Sequence, residues 1–344
     1  MKILIVSNMY PTEGRPHFGT FVKACVDGYV QQGAETSVVA IQGEGVTSYV
    51  RFYCKVFFTC ILRHFDYVHI HYVTHSAPPV CFARCLKKFK IILNFHGSDA
   101  FPEVYEPKSR RKLKNLICKL AIKKSDLVIA PSEYFAKKIM YKYTVKNIFV
   151  SPSGGVDPEL FKYKPATGNV VLFAGRLIKD KGPIIAAKTI RSLAHSIDKV
   201  IFVGSGPELP SVKRILEGMA VEYWEMLPRV KLAEKMAESD LFLFPSVREG
   251  ESLGLVLVEA VFSGSIPIAI DNGAVKEIIP DSLTGKLIST IGDYDKKVSY
   301  ILNLKASDKA LISDTLLIEA VKNYSSLQVS ENLFNKVSGL AGYH

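Results

Sequence analysis

The feature that most constrains this chain is a recurrence. Short, uninterrupted apolar runs alternate with stretches of helical period: Ile3 to Val6, Thr36 to Ile41, Tyr67 to Ile70, Lys90 to Phe95 and Leu127 to Ile129, then Val170 to Ala174, Val200 to Val203, Leu241 to Phe244 and Ile266 to Ile270. A strand with one wet face alternates polar and apolar residues, so continuous runs describe strands buried on both faces, as in parallel sheets covered by helices. Between the first two runs, Phe21, Val22, Cys25, Val26, Tyr29 and Val30 keep a helical period and Gly33 supplies the stop. The breaker-rich segment Ser151 to Pro158, SPSGGVDP, divides the runs into two sets. The expectation is two doubly wound α/β domains, 1–153 and 154–325, with 326–344 a helix packing back on the first. The 344 residues suffice for two cores of about 150 residues.

Charge separates the halves. Residues 1–151 carry 22 Lys+Arg against 10 Asp+Glu, while the rest carries 22 against 23, so the net +11 resides in the first half. A half so basic suits a polyanion: nucleic acid, an anionic membrane face or an acidic substrate. The apolar run after Lys2 stops after four residues, short of the ~7 to 15 of a signal peptide. No window reaches the ~18 apolar residues of a spanning helix. The six cysteines (Cys25, Cys54, Cys60, Cys81, Cys85, Cys118) lack CxxC pairing and sit in apolar patterns, which reads as reduced core thiols of a cytoplasmic protein.

In open sheets of this kind ligands bind where strands end and helices begin. After the first run, Phe18-Gly19-Thr20 offers a glycine at a helix start, either a plain turn or a backbone approach to phosphate. After the run at Val170, the loop GRLIKDKG places Arg176 and Lys181 at one strand end, where two cations suit a diphosphate. Val203-Gly204-Ser205-Gly206 is a glycine turn that could admit a nucleotide. After Phe244 comes PSVREGESLGLVLVEA, with Glu251 ahead of a helix starting near Gly254 and Glu259 on that helix. Asp293-Tyr294-Asp295 is a DxD pattern, but in a polar helical segment far downstream, and is not read as a metal site.

GRLxxxKG, FPS and ESLGLVLVE, with SGSIPI at 263–268, NGAVKEII at 272–279 and a TG turn at 284–285, resemble the donor domain of retaining glycosyltransferases of family 4. DYVHIH at 66–71 and HGSD at 96–99 resemble that family's amino-terminal domain. Departures are Ser252 and Leu253, where Gly and Phe are frequent, and a linker longer than PNGVD. The resemblance implies a GT-B fold, two Rossmann-like domains facing a cleft, and transfer of a hexosyl or N-acetylhexosaminyl group from a nucleoside diphosphate sugar, a UDP-sugar rather than a GDP-sugar, without a metal. It implies that Arg176 and Lys181 clamp the diphosphate, that amides at Gly19, Ser252, Leu253, Gly254 and Leu255 and the turn at Gly204 assist, and that Glu251 holds donor-sugar hydroxyls. Glu259 would take the ribose, the backbone near Leu227 the base, and His96 the sugar or its phosphate.

The acceptor implied is a lipid-linked glycan in O-antigen, capsule or exopolysaccharide synthesis. The segment Lys108 to Lys124 carries eight Lys or Arg, among them Arg110, Arg111, Lys112, Lys114 and Lys119, around Leu113, Leu116, Ile117 and Leu120. With Phe52, Tyr53, Phe57, Phe58 and Ile61 of a second stretch, it reads as an amphipathic surface for an anionic membrane, placing the chain on the inner face of the plasma membrane. Rival readings are a GT-B epimerase or phosphorylase and a nucleic-acid binder; the last leaves the donor motifs unexplained, and no nucleic-acid partner is expected.

Overall fold

Every apolar run named above is a strand, and among the described residues the strands of both sheets pair in parallel. The computed structural model describes residues 1–15, 18–101, 106–145 and 147–340. These divide into two units, Met1–Gly155 together with the segment from Ser326, and Val156–Ser325. The first unit runs β1 (Lys2–Ser7), α1 (Thr20–Gln31), β2 (Glu35–Ala40), α2 (Gly45–Leu62), β3 (Tyr67–His71), α3 (Val73–Ala83), β4 (Lys90–Asn94), α4 (Lys108–Lys124), β5 (Leu127–Ala130), α5 (Glu133–Tyr143) and β6 (Phe149–Val150). The second runs β7 (Val170–Ala174), α6 (Pro183–Ser192), β8 (Lys199–Val203), α7 (Leu209–Ile215), β9 (Val221–Trp224), α8 (Arg229–Glu238), β10 (Leu241–Phe244), α9 (Leu255–Phe262), β11 (Ile266–Ile270), α10 (Val275–Ile278), α11 (Asp281–Leu287), β12 (Ile288–Ser289), α12 (Tyr294–Leu302) and α13 (Ala306–Tyr324). The chain then returns to the first unit as α14 (Ser326–Gly339).

Among the described residues each sheet has six strands, in the orders β2-β1-β3-β4-β5-β6 and β12-β11-β10-β7-β8-β9. Both reverse direction beside the first strand of the unit, the crevice where doubly wound sheets bind ligands. Alternation along the first sheet sorts two cores. Leu4, Val6, Val68, Ile70, Ile91 and Leu93 face α2, α3, α4 and α5. Ile3, Ile5, Tyr67, Ile92 and Ile129 face α1 and α14, where Leu333 and Val337 complete the cover. α14 crosses α1 so closely that a Cβ on Gly28 would stand 2.5 Å from the Ser330 Cβ.

Three strands carry no sequence signal: β6, β9 and β12 all lie within or at the sheet edges, and two are only two residues long. The TG pair at 284–285 is not a turn; Thr284 and Gly285 lie within α11, and the Thr284 hydroxyl donates to the Pro280 carbonyl at 3.4 Å. The core-thiol expectation holds for Cys25, Cys60 and Cys118, while Cys54 and Cys85 are exposed. No described helix is long and apolar enough to cross a membrane.

Candidate active site

The site in the second unit is built from loops that glycines allow to touch. After β7, the Gly175 and Leu177 amides donate to the Val203 and Ser205 carbonyls, each at 2.9 Å, zipping this loop to the one after β8. Gly204 sits at φ 143°, and a Cβ there would come within 1.9 Å of the Gly175 carbonyl oxygen. No other residue fits. Gly182, at φ 71°, likewise lies so near Pro245 that a Cβ would meet its carbonyl oxygen at 2.3 Å, which draws the β7 loop against the β10 loop.

That approach sets the central contact. Lys181 Nζ lies 2.5 Å from Glu251 Oε2, with the side chains only 16% and 8% exposed. The Ser246 hydroxyl donates to the same oxygen at 2.8 Å. Burial pushes the Glu251 carboxyl up, but Lys181 and the Ser246 hydrogen bond outweigh it and hold the group below its ordinary value. The loop carrying Glu251 is braced by Asn272, whose amide donates to the Ser246 and Arg248 carbonyls at 3.2 and 3.1 Å.

Glu259 is enclosed on α9 and meets Arg229 Nη2 at 2.8 Å. Here burial dominates, and the carboxyl stays above its ordinary value despite the guanidinium. Arg229 is missing from the sequence reading; its only signal is its place two residues after Leu227 at the start of α8. Arg176, Lys181, Gly204, Leu227 and Glu259 line one cavity of about 340 Å³, together with Glu225, Met226 and Phe244. Glu251 stands beside Lys181 at its border. Ser252, Leu253, Gly254 and Leu255 are not among the lining residues; Leu253 is buried, and Gly254, at φ 82°, caps the amino end of α9. What this stretch can offer is backbone amide from the first turn of a helix.

In the first unit, Gly19 caps α1 at φ 73°, where a Cβ would lie 2.6 Å from the Met9 carbonyl oxygen. His96 follows β4 on a loop pinned by Asp99, whose carboxylate accepts from the amides of His96, Gly97 and Ala100 at 3.1, 2.9 and 3.0 Å. The His96 ring stacks on Tyr72 and His71 and meets Phe21 at a tilt, and its Nε2 is 3.0 Å from His71 Nδ1. Burial and the neighbouring His71 hold its pKa well below the ordinary value, so it is neutral. Tyr72 takes a left-handed conformation, φ 58°, at the turn from β3 to α3, which a bulky residue rarely adopts.

α4 meets expectation unevenly. Leu113, Leu116 and Leu120 are each more than half exposed, and Arg110, Arg111, Lys112 and Lys119 are exposed with them. Lys114 is not part of that surface: it turns inward, 12% exposed, and pairs with Glu106 at 2.7 Å. In the second stretch Phe52 is core, whereas Phe58 and Leu62 are exposed. α3 packs between α2 and α4 and adds the exposed Phe82. The DxD carboxylates hold no common site: Asp293 pairs with Lys296 at 2.8 Å, and Tyr294 is buried, donating to the Ile268 carbonyl.

Comparison with known proteins covers both units. The family model for Glycosyltransferase Family 4 matches residues 19–160, and that for Glycosyl transferases group 1 matches residues 168–305. An uncharacterized 41.2 kDa protein in the cps region of Klebsiella pneumoniae is 26% identical over 74% of this chain and 74% of its own length. The putative teichuronic acid biosynthesis glycosyltransferase TuaC of Bacillus subtilis is 26% identical over 62% of this chain and 55% of its own. For several other curated relatives the matched stretch is only 34% to 62% of the relative's length. The crystal structure of Anabaena HepE in complex with UDP-glucose superposes with a TM-score of 0.76 at 16% identity, covering 98% of this chain and 100% of that one. The chain therefore belongs to glycosyltransferase family 4, with the GT-B fold.

Proposed function

We propose that this chain transfers a hexosyl or N-acetylhexosaminyl group, with retention, from a nucleoside diphosphate sugar to a lipid-linked glycan in surface polysaccharide synthesis. The observation that carries this reading is the convergence of Arg176 and Lys181 on one cavity that also contains Glu259, with Glu251 bonded to Lys181 at its edge. Breaking an anomeric bond to a diphosphate leaves negative charge on the phosphates and cationic character on the ring, and preorganised cations at the leaving group lower that barrier most. Arg176 and Lys181 supply them without a metal. Glu251 then takes donor hydroxyls and Glu259 takes ribose hydroxyls, each exchanging a present ion-pair partner for ligand.

Among described carboxylates at the cavity, Glu251 and Glu259 are already engaged with Lys181 and Arg229, and Glu225 lines it as a third. Front-face attack fits this arrangement: the acceptor oxygen bonds to the anomeric carbon as the diphosphate leaves, and the leaving phosphate oxygen takes the acceptor's proton. His96, held neutral, is proposed to hydrogen-bond the donor, and Gly19 to present its helix-start amide. The UDP-glucose complex of the HepE neighbour supports a UDP-sugar over a GDP-sugar, and the TuaC relative supports a surface polysaccharide. The exposed leucines and cations of α4 support docking on the anionic inner face of the plasma membrane.

The test is a panel of radiolabelled UDP- and GDP-sugars offered with a bacterial lipid extract. Label entering the lipid fraction, with the donor's anomeric configuration in the product, is expected. Conversion to an epimer, or sugar 1-phosphate formation from added phosphate, would replace the transferase reading.

A further inference from the structure

We propose that Cys25, His69 and His71 form a binding site for a transition-metal ion of the zinc class inside the amino-terminal unit. The site does not depend on the transferase reading. Alternation along β3 places residues 69 and 71 on one face of the sheet, the face that α1 covers. Cys25 lies on the buried side of α1. One donor atom from each of the three lies within 4.8 Å of the others, the one such group among the described residues. All three are enclosed: Cys25 is 5% exposed, His69 0% and His71 1%.

A second observation is independent of that proximity. His69 Nδ1 is engaged with the Tyr29 hydroxyl at 3.1 Å, and His71 Nδ1 with His96 Nε2 at 3.0 Å. This leaves the Nε2 atoms of both rings buried without any hydrogen-bond partner. Buried polar atoms are nearly always satisfied, and two orphaned imidazole nitrogens whose rings stack 4.4 Å apart next to a thiol require a partner. A water would satisfy one nitrogen; an ion held through both Nε2 atoms and the sulfur would satisfy all three. The arrangement also matches the way ligating histidines are held, with the other ring nitrogen fixed by a hydrogen bond that sets tautomer and orientation.

The donor chemistry selects the ion. One sulfur and two imidazoles suit zinc or its surrogate cobalt, and not magnesium or calcium, which take oxygen. Neutral imidazole and thiolate are the ligating forms. The thiol proton is lost to solvent as the metal–sulfur bond forms. At ligand bonds of about 2.0–2.3 Å the donors of a tetrahedral ion stand about 3.3–3.7 Å apart, so binding draws the three together by no more than about 1.5 Å. The ion would tie α1 to the end of β3, where His71 orients His96. It would thus act as a positioning element for a loop of the proposed donor site, not as a catalyst.

The experiment uses untagged, chelator-stripped full-length chain titrated with Co²⁺ and then Zn²⁺. Expected are one equivalent of cobalt with a thiolate-to-cobalt charge-transfer absorption, displacement by zinc, loss of that absorption in Cys25→Ser, and at least a tenfold weaker affinity in His69→Gln. X-ray absorption on the zinc-loaded wild type needs no variant and should report one sulfur and two imidazoles. No uptake by the wild type, uptake unchanged in a folded Cys25→Ser, or a zinc shell of more than one sulfur or of none overturns the proposal.

Discussion

Lys181 and Glu251 satisfy each other: the ammonium and the carboxylate stand 2.5 Å apart, across 70 residues of sequence, with little access to water. Glu259 and Arg229 repeat the pattern at 2.8 Å. A buried carboxylate is costly unless paired, and pairing holds these in place without ligand. A polar ligand entering the cavity exchanges partners with groups already aimed, so little reorganisation remains for the reaction itself.

The pair makes Glu251→Gln and Lys181→Ala informative. Each is expected to lower kcat by about 10² to 10³, the loss typical of one transition-state contact. Glu251 has a folded pKa below the ordinary 4.5 of a glutamate, so its stabilising contribution is present above that value and is lost as pH falls through the folded pKa. Glu251→Gln should therefore flatten the acid limb of stability below about pH 4.5. Initial rates and denaturant midpoints check both, and wild-type turnover in either variant sinks the assignment.

On α4 the structure separates two kinds of cation. Replacing Arg110 and Arg111 by Ser should weaken binding to anionic vesicles by about 2 kcal/mol, at about 1 kcal/mol per basic residue near the surface. Lys114→Ala should leave vesicle binding unchanged while lowering the midpoint of thermal unfolding, because Glu106 loses its enclosed partner. Flotation with and without salt is the measurement; equal effects of all three positions would mean the helix does not dock by its outer face.

Stability should fall in mild acid because of buried histidines. His75 is held at about 4, first by burial and then by Lys114 and Arg110, against the ordinary 6.5 of a histidine. Its folded pKa is lowered, so the unfolded chain binds the proton first: stability is complete above 6.5 and falls between 6.5 and 4 by up to about 1.4 kcal/mol per pH unit. His75→Gln should reduce that slope relative to wild type, measured by denaturant titration between about pH 4.5 and 7. An identical slope would show that the imidazole titrates as in water.

Period and loop chemistry made much of this legible. Strands buried on both faces announce themselves as runs of apolar residues, whereas β9, Val221–Trp224, carries Glu222 within it and reads as nothing in particular. Arg176, Lys181 and Glu251 stand in loops after strands and Glu259 on the helix that follows, all within short motifs, so sequence alone can offer them as candidates. It cannot name Arg229, or say that Lys114 turns inward, because both depend on contacts made by tertiary packing. Nor does the HGSD motif reveal that Asp99 serves the backbone: its carboxylate gathers amides of the His96 loop, including that of Gly97 at φ 133°.

The return of the chain as α14 carries a consequence for synthesis. The helix that covers α1, through Leu333, Val337 and the close crossing at Gly28, is made only after the whole of Val156–Ser325. On a ribosome, the nested second unit can therefore finish folding while this face of the first is covered by α1 alone, with the part that Leu333 and Val337 seal still open to solvent or to a chaperone. A fragment ending at the linker would keep that opening permanently. Expression of the first unit alone thus calls for α14 joined behind Gly155 by a short polar splice, and not for a simple cut.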